Sequence, residues 1–315
     1  YTQKMSSYFL FFIGLSLLLT GGDFLVKSST KISKKFNVPS FIIGLTVVSF
    51  ATSAPELFIS LEAINNQKYD IIFGNVIGSN IANICLVLAI TLIFVNVRFS
   101  DLTKKIDIPF LLFSTLLFST FLFIFKGISL WMGIVFFFFI SLYLFTIIRK
   151  SNVGKDDEKH SNFKSNILLQ FLILLISALM LKFGADWLIS GVTTIAVDFG
   201  VSDRVIAFTL VAVGTSLPEL STSFVAIYKK EKNLAVGNLI GSNIFNILIV
   251  LGITSMFDNI KIVDTKVLTN DVMFLITSTF LLCVIVYSTF LNKNNKLSGI
   301  MLLCFYLLFL ITATA

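Results

Sequence analysis

The chain is predicted to be an all-α membrane protein of ten transmembrane helices, arranged as two inverted repeats of five. Three observations carry that prediction. The 315 residues are 56% apolar and only 13% charged, against roughly 25% charged in an ordinary soluble domain. The apolar residues gather into stretches of roughly 20, the helix length that crosses a hydrocarbon core about 30 Å thick. One segment of 53 residues, Val38 to Ile90, recurs without a gap 163 positions later as Val201 to Ile253, with 24 identities. Runs such as Phe110 to Phe125 are apolar on every face, which excludes the alternating pattern of a β-barrel. The same composition argues against a soluble enzyme.

The spans follow in order. Span 1 (6–26) carries Gly21 and Asp23; span 2 (40–64) interrupts its apolar run with Ser49, Thr52, Ser53, Pro55 and Glu56; span 3 (70–95) holds GNVIGSNIAN from Gly74. Spans 4 (107–125) and 5 (128–148) are almost wholly apolar. The polar stretch 149–165 then links the first repeat, 1–148, to the second, 166–315. There span 6 (166–190) sets Gly184 and Asp186 at the offset of Gly21 and Asp23. Span 7 (203–227) repeats the interruption with Thr215, Ser216, Pro218 and Glu219, and span 8 (233–256) carries GNLIGSNIFN from Gly237. Spans 9 (268–291) and 10 (297–314) complete the unit. Low-complexity apolar sequence does not produce shared Thr, Ser, Pro, Glu, Gly and Asn, so the match is a duplication. Five spans per copy is an odd number, so the second copy enters the membrane inverted.

The formal charge of +7 reads as topology and not as a nucleic-acid surface. The loops after spans 1, 3, 5, 7 and 9 hold 17 of the 24 Lys and Arg residues, the opposite side holds 6, and Lys182 lies within span 6. Basic loops stay cytoplasmic, which places both termini outside and 149–165 inside. Cys85, Cys283 and Cys304 all fall within apolar spans and imply packing, with no disulfide framework. No cleavage-type motif follows span 1, and a prokaryotic plasma membrane is the expected location. His160, in the run KDDEKH, reads as a solvated residue.

Polar residues in mid-span need a reason. Proline lacks an amide hydrogen and clashes with the carbonyl four residues back, so helices 2 and 7 are expected to break near Pro55 and Pro218. That would free carbonyls around Ser49 to Thr52 and Ala212 to Thr215. In hydrocarbon such groups are tolerated only inside protein or along a wet cavity, where they can ligate a cation. Helices 3 and 8 are likewise expected to be broken or notched at the centre. Gly74 and Gly78, like Gly237 and Gly241, leave one face bare for a close approach. Ser79 with Asn83, and Ser242 with Asn246, are four apart and share a face.

A carboxylate at the bilayer centre costs roughly 2.5 to 3.5 kcal/mol, yet Glu56 and Glu219 both sit mid-span. Lys182 is placed to pair with Asp186 one turn along its own helix, which leaves the glutamates without a fixed counter-charge. Two carboxylates about 5 Å apart repel by roughly 3 kcal/mol at an effective dielectric near 20, so an empty site binds a cation or a proton. Their four oxygens and the Thr52 and Thr215 carbonyls make about six, within the range calcium takes. Oxygens of Ser53, Ser79, Asn83, Ser216, Ser242 and Asn246 suit smaller sodium sites. Asn83 and Asn246 serve equally as ties between helices, and Asp23 and Asp186, near helix ends, suit structural or gating contacts. No thiolate or imidazole is on hand for a soft metal.

At ATSAPE (Ala51 to Glu56), GTSLPE (Gly214 to Glu219) and the two GNxIGSN segments, the chain resembles the sodium/calcium exchanger family of the calcium/cation antiporter superfamily, in its prokaryotic form. The resemblance implies a carrier without cofactor that exchanges calcium for several sodium ions by alternating access, with Glu56 and Glu219 as the calcium carboxylates. It places Thr52, Ser53, Thr215, Ser216, Ser79, Ser242, Ser49 and Ala212 at the surrounding ion sites. Some similar proteins carry Asp where this chain has Asn83 or Asn246, and the neutral residues here argue against potassium co-transport. A calcium/proton antiporter and, behind it, a cation channel are the alternatives. A membrane enzyme lacks any nucleophile with a nearby base.

Overall fold

The computed structural model describes residues 2–36, 38–151, 166–198 and 214–314. Nine helices among these are long and apolar enough to cross a bilayer. We label the elements in chain order: α1 (Thr2–Phe36), α2 (Ser40–Asn65), α3 (Tyr69–Phe94), α4 (Thr103–Phe125), α5 (Leu130–Ser151), α6 (Ile167–Asp198), α7 (Leu217–Tyr228), α8 (Lys232–Thr254), α9 (Val267–Tyr287) and α10 (Asn295–Thr314). The first half of predicted span 7, residues 203–213, and most of the link, 152–165, lie outside the described residues.

Helices α1 and α6 run well beyond their predicted ends. Hydropathy stops at the Lys27, Lys31, Lys34 and Lys35 stretch, but lysine is a good helix former, so the helix continues past the apolar core. Span 9 ends earlier than predicted, because Ser288 turns extended (φ −70°, ψ 122°) and caps a short separate helix, Thr289–Lys293.

Burial separates the core from the rim. The most apolar stretch of α8 is 94% buried and that of α3 78%, whereas that of α6 is only 28% buried. Helices α2, α3 and α8 therefore form the centre, and α6 shows most of its surface to lipid. Against the centre lean α1 and α6, an antiparallel pair. A Cβ on Gly184 of α6 would come within 2.8 Å of the Leu18 nitrogen and 3.0 Å of the Gly14 carbonyl, so only glycine lets these backbones approach so closely. Within α6, Lys182 pairs with Asp186 at 3.0 Å. Asp23 of α1 pairs with Lys27 and with Lys229 beyond α7, both at 2.6 Å.

Positions about 163 residues apart share backbone detail. Gln67 (φ 56°) and Lys230 (φ 65°) both adopt the left-handed conformation after a helix, and the next amides, of Lys68 and Glu231, each bond 2.8 Å back to Ala63 and Ala226. A π-helical turn occurs at Asn83–Leu88 of α3 and Asn246–Val250 of α8, and another at Thr103–Asp107 of α4 and Val267–Asp271 of α9.

Outside the centre, the buried Asp107 carboxyl in α4 accepts a hydrogen bond of 3.0 Å from Tyr143 of α5, whose ring stacks on Phe110 at 4.2 Å. Asp107 Oδ2 has no hydrogen-bond partner among the described residues. Because the stack survives and only the donor is lost, Tyr143→Phe is expected to destabilise the fold by about 1 to 3 kcal/mol, read as a lower unfolding temperature in detergent.

Candidate functional site

Proline sets the local geometry. Helix α2 is interrupted at Ser53 (φ −84°, ψ 0°) and resumes at Ala54 with Pro55 in its first turn. Ser216 repeats this before α7 (φ −92°, ψ 5°), with Pro218 in the first turn. Without an amide hydrogen, Pro55 leaves the Ala51 carbonyl without its helical donor, and Pro218 does the same to Gly214. The expected freeing of carbonyls starts later than Ser49, however, because the Ser49 carbonyl still accepts from the Ser53 amide at 2.9 Å. Glu56 and Glu219 then fall in the first turns of the resumed helices, where the positive end of the helix dipole favours an anion.

Helices α3 and α8 correct one expectation: they are not broken. Neither contains a proline, so the chain stays helical and instead widens into the π-turns that begin at Asn83 and Asn246. Such turns insert a residue into the helix without leaving its backbone unbonded. The glycine notch of α8 is used as predicted, since a Cβ on Gly237 would meet the Phe41 carbonyl and one on Gly241 would meet Ser49 Oγ and the Leu45 carbonyl. For Gly74 and Gly78 nothing among the described residues lies within 4 Å, and their counterpart partners, 204 and 208, are outside that set.

These elements bring the predicted side chains together. Thr52 Oγ1 lies 3.1 Å from Asn238 Oδ1, to which it donates, and 3.1 Å from Ser242 Oγ. Ser79 Oγ lies 3.3 Å from Thr215 Oγ1 and donates to the Asn75 carbonyl at 2.6 Å. Thr52, just before the interruption of α2, and Thr215, just before α7, thus each contact a Ser of the GNxIGSN helix of the other repeat. Ser49 is engaged structurally, its hydroxyl shared between the Gly44 and Asn238 carbonyls at 2.9 Å each. Ala212 lies outside the described residues.

The carboxylates occupy the middle of this arrangement. Glu56 and Glu219 are fully buried. Glu56 lies toward Ser79 and Glu219 toward Thr52 and Ser242. Among the described residues none of their four oxygens has a hydrogen-bond partner, and neither has Ser53 Oγ, Ser216 Oγ, either amide atom of Asn83, or Asn246 Oδ1. The ion pairs among the described residues fall elsewhere, on Asp23 and Asp186. Buried polar atoms are ordinarily bonded, and buried charges paired. A concentration of oxygens without hydrogen-bond partners among the described residues, in a buried centre, suits a hard cation, and the donor set fits one.

Two residues went unnoticed in the sequence. Asn75 Nδ2 donates to the Glu56 carbonyl at 2.9 Å and to Ser60 Oγ at 3.1 Å, fixing the backbone that carries the carboxylate. Its counterpart Asn238 instead receives Thr52, and its Nδ2 has no partner. Their place in both copies of GNxIGSN was the available signal. Asn80 adds a tie between repeats, accepting from Asn246 Nδ2 and donating to the Asn243 carbonyl, each at 3.3 Å.

Comparison with known proteins agrees with this architecture. The family model described as sodium/calcium exchanger protein matches two stretches, residues 6–149 and 169–315. The sodium/calcium exchanger MaX1 of Methanosarcina acetivorans is 31% identical over 345 residues, covering 97% of both chains. A membrane protein of Methanocaldococcus jannaschii, MJ0091, is 33% identical over 298 residues, covering 95% of each. Among solved structures, that of the sodium-calcium exchanger NCX_Mj, soaked without sodium or calcium, superposes with a TM-score of 0.81 at 30% identity, covering 98% of this chain and 99% of that one. The chain therefore belongs to the sodium/calcium exchanger family, an integral membrane antiporter of cations and not an enzyme.

Proposed function

We propose that the protein exchanges calcium for sodium by alternating access, with Glu56 and Glu219 as the carboxylates that hold calcium. The observation that carries this reading is the pair of buried carboxylates whose four oxygens have no hydrogen-bond partner among the described residues. Oxygens of Thr52 and Thr215 complete the calcium set; those of Ser53, Ser216, Ser79, Ser242, Asn83 and Asn246 serve sodium. Ala212 joins them through the resemblance, as does the Ser49 backbone.

Selective crossing turns the site into an exchanger. A bare site carries about two negative charges, and occluding these in low dielectric is unfavourable, whereas one calcium or two or more sodium ions neutralise them. Only loaded carriers then cross readily. The α1–α6 pair, packed on itself along a glycine seam, is the part that slides against the centre. The units 1–148 and 166–315 are inverted repeats, with ten spans in all, and both termini face outward by the distribution of basic residues.

The test is calcium uptake into sealed vesicles under an imposed sodium gradient, repeated under a proton gradient. Uptake driven by outward-directed sodium is expected. Uptake that follows only protons indicates calcium/proton exchange, and uptake with neither counter-ion indicates a channel. In the same assay, Asn75→Ala is expected to lower the apparent calcium affinity by roughly 5- to 150-fold, through the two hydrogen bonds it removes behind Glu56, each worth about 0.5 to 1.5 kcal/mol.

A further inference from the structure

One end of α1 carries a feature that ion exchange does not use. Lys27, Lys31 and Lys34 of α1 line a cleft of about 190 Å³ together with Thr30, Lys229 and Glu231, the last two from the turn between α7 and α8. Spacings of four and three put the three α1 lysines on one helix face. Asp23 is the counter-ion of Lys27 and Lys229. Lys31 and Lys34 have no ion pair among the described residues. Four ammonium groups therefore face two carboxylates, those of Asp23 and Glu231, and the cleft keeps an excess of positive charge.

The general preference of basic residues for one membrane face places these lysines at that end of the bundle, but does not require three on one stripe facing a fourth from another element. Nor does the duplicated fold require it. At the 163-residue offset the counterparts are Ser190, Thr194 and Val197 on α6, and Asn66 after α2, none of them charged. The cleft belongs to one face of the membrane alone.

The stripe continues toward the bilayer in apolar form. Phe24, three residues before Lys27, is 44% exposed, and Phe224 of α7 is 59% exposed. A ligand that fits both parts has an anionic head and a hydrocarbon body. We propose that the cleft between α1 and the α7–α8 turn binds an anionic phospholipid, its headgroup phosphate among Lys27, Lys31, Lys34 and Lys229 and its chains along Phe24 and Phe224. Basic pockets between membrane helices recognise headgroups in this way. Such a lipid bridges α1 to the α7–α8 turn, alongside the Asp23–Lys229 ion pair.

The test is native mass spectrometry of the full chain in detergent, titrated with phosphatidylglycerol or, as a neutral control, phosphatidylcholine. Selective retention of phosphatidylglycerol is expected. The double variant Lys31→Gln, Lys34→Gln spares the ion pairs of Asp23 and is expected to weaken retention roughly 10- to 30-fold. Lys34→Gln alone, at an exposed position, is expected to weaken it roughly 5-fold, and a Lys31→Arg, Lys34→Arg pair to preserve it. The proposal is overturned if the Gln variants retain the lipid like the parent chain. Equal loss on Lys293→Gln with Lys296→Gln, remote in sequence from the cleft, would overturn it too, by showing a general surface-charge effect. So would displacement of the lipid by glycerol phosphate at equal concentration, which would show a site for free phosphate.

Discussion

Calcium exchange in a Glu219→Gln variant is expected to fall to the background of empty vesicles, and in Glu56→Gln likewise. Glutamine keeps the size of the side chain and one carbonyl oxygen, but removes half the charge of a site built from two carboxylates. Removing one partner of a buried, compensated charge arrangement costs about 3 to 5 kcal/mol, or roughly 10²- to 5 × 10³-fold in calcium affinity. The same variants carry a second signature. With no ion bound, the parent chain holds two buried carboxylates that repel each other, with no hydrogen bond to any of their oxygens among the described residues, so either substitution relieves repulsion. The ion-free Gln variants should therefore unfold at a higher temperature than the parent, even as calcium ceases to stabilise them. If the glutamates merely joined helices, the variants would unfold at a lower temperature and still exchange.

The second large effect concerns assembly. Gly241→Leu is expected to prevent a stable bundle, seen as loss of a monodisperse peak after extraction. Even the first carbon of a side chain at Gly241 runs into Ser49 Oγ and the Leu45 carbonyl, and the latter is backbone that cannot swing aside. Overpacking a tight core ordinarily costs about 1 to 3 kcal/mol, and a branched side chain pressed against a helix axis lies at or beyond that range. Because Ser49 is bonded across this seam to the Asn238 carbonyl at 2.9 Å, the damage extends to Thr52 and Ser242. Gly241→Ala is the milder test, expected to lower the unfolding temperature while leaving measurable exchange.

The features legible in the sequence are those fixed by a residue's own chemistry. Pro55 and Pro218 cannot donate a hydrogen bond, so helix interruptions beside them follow from composition alone; the structure has one at Ser53, and α7 starts after Ser216 with the same backbone turn. Acidic residues in mid-span announce themselves by their cost. The pairing of Lys182 with Asp186 follows from their spacing. The π-turns at Asn83 and Asn246 carry no such mark, since an inserted helical residue is held by surrounding packing and not by any residue's propensity. For the same reason the sequence suggested breaks in α3 and α8 where the chain only widens. Asn75 and Asn238 escaped notice because an asparagine beside a glycine reads as motif until its partners are seen: one steadies the Glu56 carbonyl, the other receives Thr52. Helix ends were misjudged at α1, where lysines end the apolar run without ending the helix.

Glu56 and Glu219 are proposed to hold the transported divalent ion together. Crystals of the protein soaked in calcium test this most directly. One ion is expected, with oxygens of both glutamates at about 2.3 to 2.6 Å. Density for calcium at any place that only one of the two carboxylates reaches, or two glutamates that remain bare in saturating calcium, would contradict it.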